Sequence, residues 1–159
     1  MLLDIPAVRG VPWLPADEPV MPEDLDAAER QFGVRVEAGD ILLVRTGNDR
    51  KILEQGPVPG TEPMTACQVD CTPWFKARDI AMLGTDTSND VRPNPYANIV
   101  NPLHTVSLVA MGLWLIDNAN LEQLAAACQQ RRRYTFMLCL GPLRLRRVTG
   151  SPVNPIALF

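Results

Sequence analysis

The sequence holds one histidine, His104, among 159 residues. A metal centre built mainly from imidazoles needs three or four convergent ligands, so these residues cannot build one by themselves. Cysteine is scarce as well. Cys67, Cys71, Cys128 and Cys139 form no CxxC pair, and the one close pair has no second pair or clustered histidine to complete a zinc site. Reduced thiols in a cytoplasmic protein are the expectation. There is no excess of positive charge: the net charge is −3, which gives no electrostatic reason to expect nucleic acid or an anionic membrane as a partner. The basic run Arg131-Arg132-Arg133 follows a helical pattern, where cations suit the negative end of the dipole, and reads as a solvated cap. Long apolar runs are missing too. The longest, Leu103 to Ile116, contains His104 and is too short to span a bilayer. No charged segment followed by an apolar stretch opens the chain. A phosphate loop, a dinucleotide fingerprint and a strand-turn-helix nucleophile elbow are all absent from the sequence, as are internal repeats.

What is present is a globular composition, 47% hydrophobic and 21% charged, at the length of one domain covering residues 1–159. Fifteen prolines predict short elements joined by stiff connections. Leu2-Leu3-Asp4-Ile5 before Pro6 reads as a buried strand, and residues 6–20 as an irregular connection. Pro22-Glu23-Asp24-Leu25 opens a helix with carboxylates at its positive end, and Gly33 stops it. Ile41 to Val44 is a continuous apolar strand of the kind covered on both faces. Residues 48–71 read as a long surface loop and a candidate lid. Thr72 caps a short helix through Arg78. Ile80 to Gly84 is a second buried strand. Pro102 to Met111 is predicted helical with Gly112 as its stop, and Leu113 to Ile116 extended. Asn120, with Gln123 three residues on, opens a last helix whose buried stripe is Leu121, Leu124, Ala125 and Cys128. Phe136 to Leu140 is a core strand, Leu143 to Arg146 alternates like a half-exposed strand, and Ile156 to Phe159 closes the chain. The pattern is mixed α/β.

Polar groups collect at the ends of these strands: Arg45 after the first long one, Asp86, Ser88 and Asp90 after the second, and Asp117 after the third. In open α/β sheets, sites gather just beyond the carboxyl ends of strands. Each residue also has a plainer reading. A lone histidine on an apolar helix is often a satisfied core residue, and Asp86, Asp90 and Asp117 can be turn formers. One geometric expectation separates the two. If the chain reverses at Gly112, the following strand runs back along the helix and brings Asp117 to the helix start that carries His104. The two side chains should then lie within about 10 Å, the reach of a shared ion or water, and face a pocket.

Five stretches carry a family resemblance: Leu2-Leu3-Asp4-Ile5-Pro6; Gly39 to Gly47, of the form GDxxLxRTG; Asp86-Thr87-Ser88-Asn89-Asp90, of the form DTxSxD; Leu103-His104 with Gly112, Asp117 and Asn118 to Leu124, against HxxLLxxGxxxxE-N-L-x-x-L; and Gly150 to Pro155, GSPVNP. In this order they resemble the C-terminal part of the cyclase family of metal-dependent hydrolases, which includes kynurenine formamidases and isatin hydrolases. The resemblance implies a swivelling β/β/α, kynurenine-formamidase-like fold lacking its N-terminal part. It implies arylformamidase-like hydrolysis of an amide C–N bond in a small formamide or cyclic amide, with zinc or manganese. His104 and Asp117 correspond to a later His and Glu that help hold a second metal in binuclear members, Asp being shorter by one methylene. His104 is also the candidate catalytic proton carrier, and Arg45, Asp86, Ser88 and Asp90 the candidate pocket residues. The family's main metal motif, His-x-Gly-Thr-His-x-Asp, is not in this sequence and is expected upstream of the matched region.

Beside a small-molecule substrate, the expected partners are further copies of the chain or another chain. A truncated half should leave Leu2 to Ile5 and Ile41 to Val44 with uncovered edges or faces. The alternative to catalysis is a non-catalytic truncated paralogue, acting as an interaction partner or left as an inactive remnant.

Overall fold

Four short apolar runs line up side by side in chain order: β1 (Leu2–Asp4), β2 (Ile41–Arg45), β3 (Met82–Thr85) and β4 (Trp114–Ile116), all parallel. The computed structural model describes residues 1–159 apart from Val58, Gly60, Thr61 and Ala97. Side chains alternate across a pleated sheet, so Leu2, Leu43, Gly84 and Ile116, which sit opposite one another in register, share one face. Leu3, Leu42, Val44, Leu83 and Leu115 share the other. Both faces are packed, each against its own hydrophobic cluster. That is why these strands read as continuous apolar runs rather than alternating ones.

Adding parallel strands in one direction through right-handed crossovers puts every crossover on the same face. Here that face carries α2 (Pro22–Phe32), α4 (Thr72–Arg78) and the start of α5 (Pro102–His104), which bury Leu25, Ala28, Trp74, Phe75 and Leu103. The opposite face is covered by α6 (Glu122–Arg131) through Leu121, Ala125 and Cys128, with Tyr134, Phe136 and Leu138 packed beside it. A side chain at Gly84 would put its Cβ 2.6 Å from Leu43 Cδ2 and 3.2 Å from Ile116 Cβ, so glycine there lets three strands pack across one face.

Two helices differ from the sequence expectation. Residues 6–20 are not wholly irregular: α1 (Ile5–Arg9) begins directly after β1, with Asp4 Oδ1 accepting the Ala7 N–H at 3.4 Å and Gly10 ending it in the left-handed conformation. Within residues 48–71, α3 (Asn48–Gln55) and a 3₁₀ turn (Val69–Cys71) replace the uniform loop. Thr72 is the first residue of α4 rather than its cap, and its hydroxyl donates back to the Val69 carbonyl at 2.8 Å. The predicted helix from Pro102 is α-helical only to His104 and continues as a π-helix over Thr105–Met111, ended by Gly112 at φ 66°. At the C-terminal end, β5 (Met137–Cys139) pairs antiparallel with β6 (Ile156–Leu158). Leu143 to Arg146 pairs with nothing in a sheet and is exposed.

The uncovered faces expected at Leu2 to Ile5 and Ile41 to Val44 are not found. Leu2, Leu3, Ile5, Leu42 and Val44 are fully buried, and the outer edge of β1 is met by Leu2 N–H donating to the Tyr134 carbonyl at 3.0 Å. Among the described residues, no helix is long and apolar enough to cross a membrane.

Candidate functional site

The ends of β3 and β4 are laced together by backbone hydrogen bonds. Asn118 N–H donates to the Thr87 carbonyl at 2.8 Å and Ala119 N–H to the Thr85 carbonyl at 2.9 Å. Inside this lacing sits Asn89, fully buried and in the left-handed conformation at φ 59°. Its Nδ2 donates to the Ile116 carbonyl at 2.9 Å and to Asp117 Oδ1 at 2.7 Å, which fixes the Asp117 carboxylate at the strand end. Asn89 is not legible as a site residue from sequence. The only local signal is an Asn in a polar turn, and its role depends on a carboxylate 28 positions away.

Asp90 faces the helix start. Its Oδ1 accepts the Leu103 N–H at 2.7 Å, and its Oδ2 lies 2.5 Å from His104 Nδ1. On the other side of the ring, His104 Nε2 is 3.3 Å from Asp117 Oδ2. The approach of His104 and Asp117 expected from the chain reversal is therefore present, well inside 10 Å. A neutral imidazole has one N–H, so it cannot donate to two carboxylates; the arrangement is complete when His104 carries both protons. Accessibility is graded along the chain of groups. The Asp90 side chain is 4% exposed, His104 24% and Asp117 39%. The protected carboxylate thus orients the ring, and the open side is the Nε2 side.

The remaining candidates lie elsewhere. Asp86 points at the start of α3. Its two oxygens accept Thr46 N–H and Oγ1–H at 2.8 Å each, Gly47 N–H at 2.7 Å and Asn48 N–H at 3.1 Å. Burial pushes its carboxyl up to about 6 even though these four donors pull the other way. Arg45 is buried between β1 and α6, bidentate to Glu122 at 2.8 Å on both arms and 2.8 Å from Asp4. Burial opposes its charge, but Glu122 and Asp4 outweigh it and raise the guanidinium pKa above its ordinary value. No hydrogen bond or ion pair joins Arg45 or Asp86 to His104. Ser88 is half-buried, and its carbonyl accepts the Asp90 N–H at 2.8 Å.

The cleft lined by Leu14, Thr46, Asn48, Ile52, Met64 and Thr65 touches none of the six candidates. His104 and Asp117 sit instead on the open margin of the sheet, where β4 is the edge strand. Nor do the residues present fit a metal. Among the described residues no three His, Cys, Asp or Glu side chains converge on one point, and both nitrogens of the one imidazole already face carboxylates.

Comparison with known proteins agrees with this fold. No curated protein matches the chain. Among solved structures, a crystal structure described as a novel cyclase is 28% identical, with a TM-score of 0.85 over 99% of this chain and 52% of that one. An isatin hydrolase bound to the product analogue thioisatinate is 20% identical, TM-score 0.74, over 99% of this chain and 58% of that one. A predicted metal-dependent hydrolase from Bacillus stearothermophilus is 15% identical, TM-score 0.64, over 98% and 60%. The last two, at such identities, speak to the fold alone. The chain spans between half and three-fifths of the length of these relatives. In the sequence pattern HxxLLxxGxxxxE the glycine follows the histidine by seven positions, whereas Gly112 follows His104 by eight. A π turn takes one more residue than an α turn, so the π-helix over Thr105–Met111 takes up the extra residue. The spacing from Gly112 to Asp117 matches the pattern. The model of the Cyclase family matches residues 1–90, more than half of the sequence, and the chain belongs to that family.

Proposed function

We propose that this chain contributes to a hydrolase of amide C–N bonds in a small formamide or cyclic amide, arylformamidase-like, with His104 as the proton carrier. The observation that carries the reading is the run Asp90–His104–Asp117 at the carboxyl end of a parallel sheet. Asp90 holds Nδ1, so the ring cannot turn, and Nε2 remains at the accessible margin beside Asp117. Hydrolysis forms a C–O bond from water to the carbonyl carbon and breaks the C–N bond, and the departing nitrogen takes up a proton that an imidazolium at this position would supply from Nε2 and recover from the added water. Asp117, held by Asn89, steadies the charged ring before transfer and would receive a hydrogen bond from it between turnovers.

The relatives described as metal-dependent hydrolases support a metal cofactor in the family, and zinc or manganese is the choice that the sequence resemblance implies. Among the described residues no such site is formed. That misfit also favours a second reading, in which the chain is a non-catalytic partner of another chain.

The test is turnover of a formanilide and of a cyclic aryl amide by the purified chain, alone and with zinc or manganese added. The proposed activity should fall by about 10²- to 10⁴-fold in His104→Ala at unchanged fold, the range for losing a positioned acid or base. A wild-type chain with no turnover under any of these conditions would leave the non-catalytic reading.

A further inference from the structure

The net charge of −3 conceals a strong partition along the chain. All eighteen acidic residues and nine of the fifteen basic ones lie in residues 1–122, which carry a net −9. Residues 123–159 hold six arginines, Arg131, Arg132, Arg133, Arg144, Arg146 and Arg147, and no acidic side chain. All six are exposed, and among the described residues none of them makes an ion pair; Arg131 lies over the Phe159 ring. The solvated cap inferred for Arg131 to Arg133 therefore covers half of a larger cationic region.

The same stretch of chain carries exposed apolar side chains. In the β5–β6 ribbon, Met137 stands opposite Leu158 and Cys139 opposite Ile156, so these four side chains share one face, and all four are exposed. The other face, with Leu138, packs on the core. Beyond the ribbon, Leu143, Leu145 and Val148 are each more than half exposed. Leu143 and Leu145 alternate with Arg144 and Arg146, a turn at Arg146-Arg147 breaks the alternation before Val148, and residues 140–155 join no helix or strand. Within that stretch the Leu143 N–H donates to Ser151 Oγ at 2.8 Å and the Leu145 N–H to the Leu143 carbonyl at 2.9 Å, so the segment folds on itself while its apolar side chains stay exposed. Half-exposed apolar side chains of this number approach the ~800 Å² per partner of a standard interface. Exposed apolar side chains together with arginines are also a composition enriched at protein interfaces.

We infer that the β5–β6 ribbon and residues 143–148 form a docking surface for a separate acidic polypeptide, one presenting apolar side chains flanked by carboxylates. The charge pattern decides against a symmetric second copy, because a ribbon-to-ribbon contact would set six arginines against six. A paired ribbon that presents apolar side chains on one face suits an extended polypeptide rather than a lipid surface. The inference does not depend on the hydrolytic reading and would stand in a chain without activity.

The experiment uses the full chain and two fluorescent synthetic nonapeptides, one alternating valine with glutamate and one alternating valine with lysine. Fluorescence anisotropy should show the Val/Glu peptide binding at least about tenfold more tightly than the Val/Lys peptide, with binding weakened by raising NaCl from about 50 to 500 mM. The triple variant R144E/R146E/R147E should lose at least about tenfold, and L145D should lose a similar factor. These positions lie in an exposed segment outside any element, and unchanged circular dichroism and melting would show the fold intact. Absent or equal binding of the two peptides would overturn the inference. So would binding to phosphatidylserine vesicles without binding to the Val/Glu peptide. A concentration-dependent dimer by light scattering that the triple variant abolishes would overturn it too, since a second copy would then be the occupant.

Discussion

Asp86 and Asp90 sit four positions apart in one turn, yet burial and partners give them opposite work. Asp90 is a hinge pin between β3 and the start of α5. Replacing it with alanine leaves the buried Leu103 N–H without an acceptor and frees His104 Nδ1. An unsatisfied buried donor costs about 1–3 kcal/mol, so Asp90→Ala should lower the unfolding free energy by that much, read as a lower urea midpoint at an unchanged slope. Asp86 instead closes the end of α3, and its effect is pH-dependent. Its native carboxyl titrates near 6 because burial raises it, against an ordinary value of 3.8. Between these values the native state binds more protons than the unfolded state, so the stability this group contributes is full below about pH 4 and is lost as pH rises through 6. Two pH units of difference correspond to on the order of 3 kcal/mol. Urea unfolding at pH 4, 5, 6 and 7 should show this fall in the wild type. In Asp86→Asn the fall should vanish, and stability should also drop throughout, because an amide N–H₂ then faces N–H donors that the carboxylate accepted.

At the scale of elements, legibility tracked how local each signal was. The sheet strands were readable because both faces are buried and the runs are continuous, as at Ile41 to Val44. Helix α2 was readable because Pro22, Asp24 and Gly33 stand at its own ends. Helix α3 was not, because its first N–H groups are satisfied by Asp86, 38 and 39 positions away, and no nearby residue announces it. Gly47, where a Cβ would come within 2.8 Å of Trp13 Cα at φ 82°, belongs to the same non-local turn. Of the candidate site, the meeting of His104 with Asp117 could be derived from one reversal at Gly112. The part played by Asn89 and the diversion of Arg45 to Glu122 depend on tertiary contacts that no spacing encodes. The π-helix is the clearest case of sequence length absorbed by geometry. Val109 lies within it and is 82% exposed, so its deletion should let the segment close as an α-helix with His104 and Gly112 kept in place. The melting temperature of that deletion should stay within about 4 °C of wild type, roughly 1 kcal/mol for a domain of this size. Deleting Leu115 from β4, which would throw Ile116 and Asp117 to the wrong faces, should abolish cooperative melting.

Over the whole molecule, the two faces of the parallel sheet are closed by the chain's own helices, and the C-terminal ribbon is one of the places, with Leu53, Val100, Val109 and Trp114, where large apolar side chains are exposed. The ligand inventory, by contrast, is short everywhere. Cys67, Cys71 and Cys128 are buried as free thiols, and burial with mutual contact raises the Cys67 thiol well above its ordinary range, away from the thiolate that binds metal. His104 and Asp117 offer at most two donors at an open margin. The chain should therefore bind zinc or manganese only weakly, whatever the relatives do. A ligand that binds only the native state stabilises it by RT ln(1 + [L]/Kd), so a site with a Kd of 1 μM would gain about 2.7 kcal/mol at 100 μM metal. At about 2–4 °C per kcal/mol, that is a rise of roughly 5–10 °C in melting temperature. The expected rise with 100 μM zinc or manganese is under about 1 °C, with less than about 0.1 ion per chain retained after dialysis by elemental analysis. A rise of several degrees that disappears in His104→Ala would show instead that His104 and Asp117 recruit enough further ligands to hold an ion, and the proton-carrier role of His104 would give way to a ligand role.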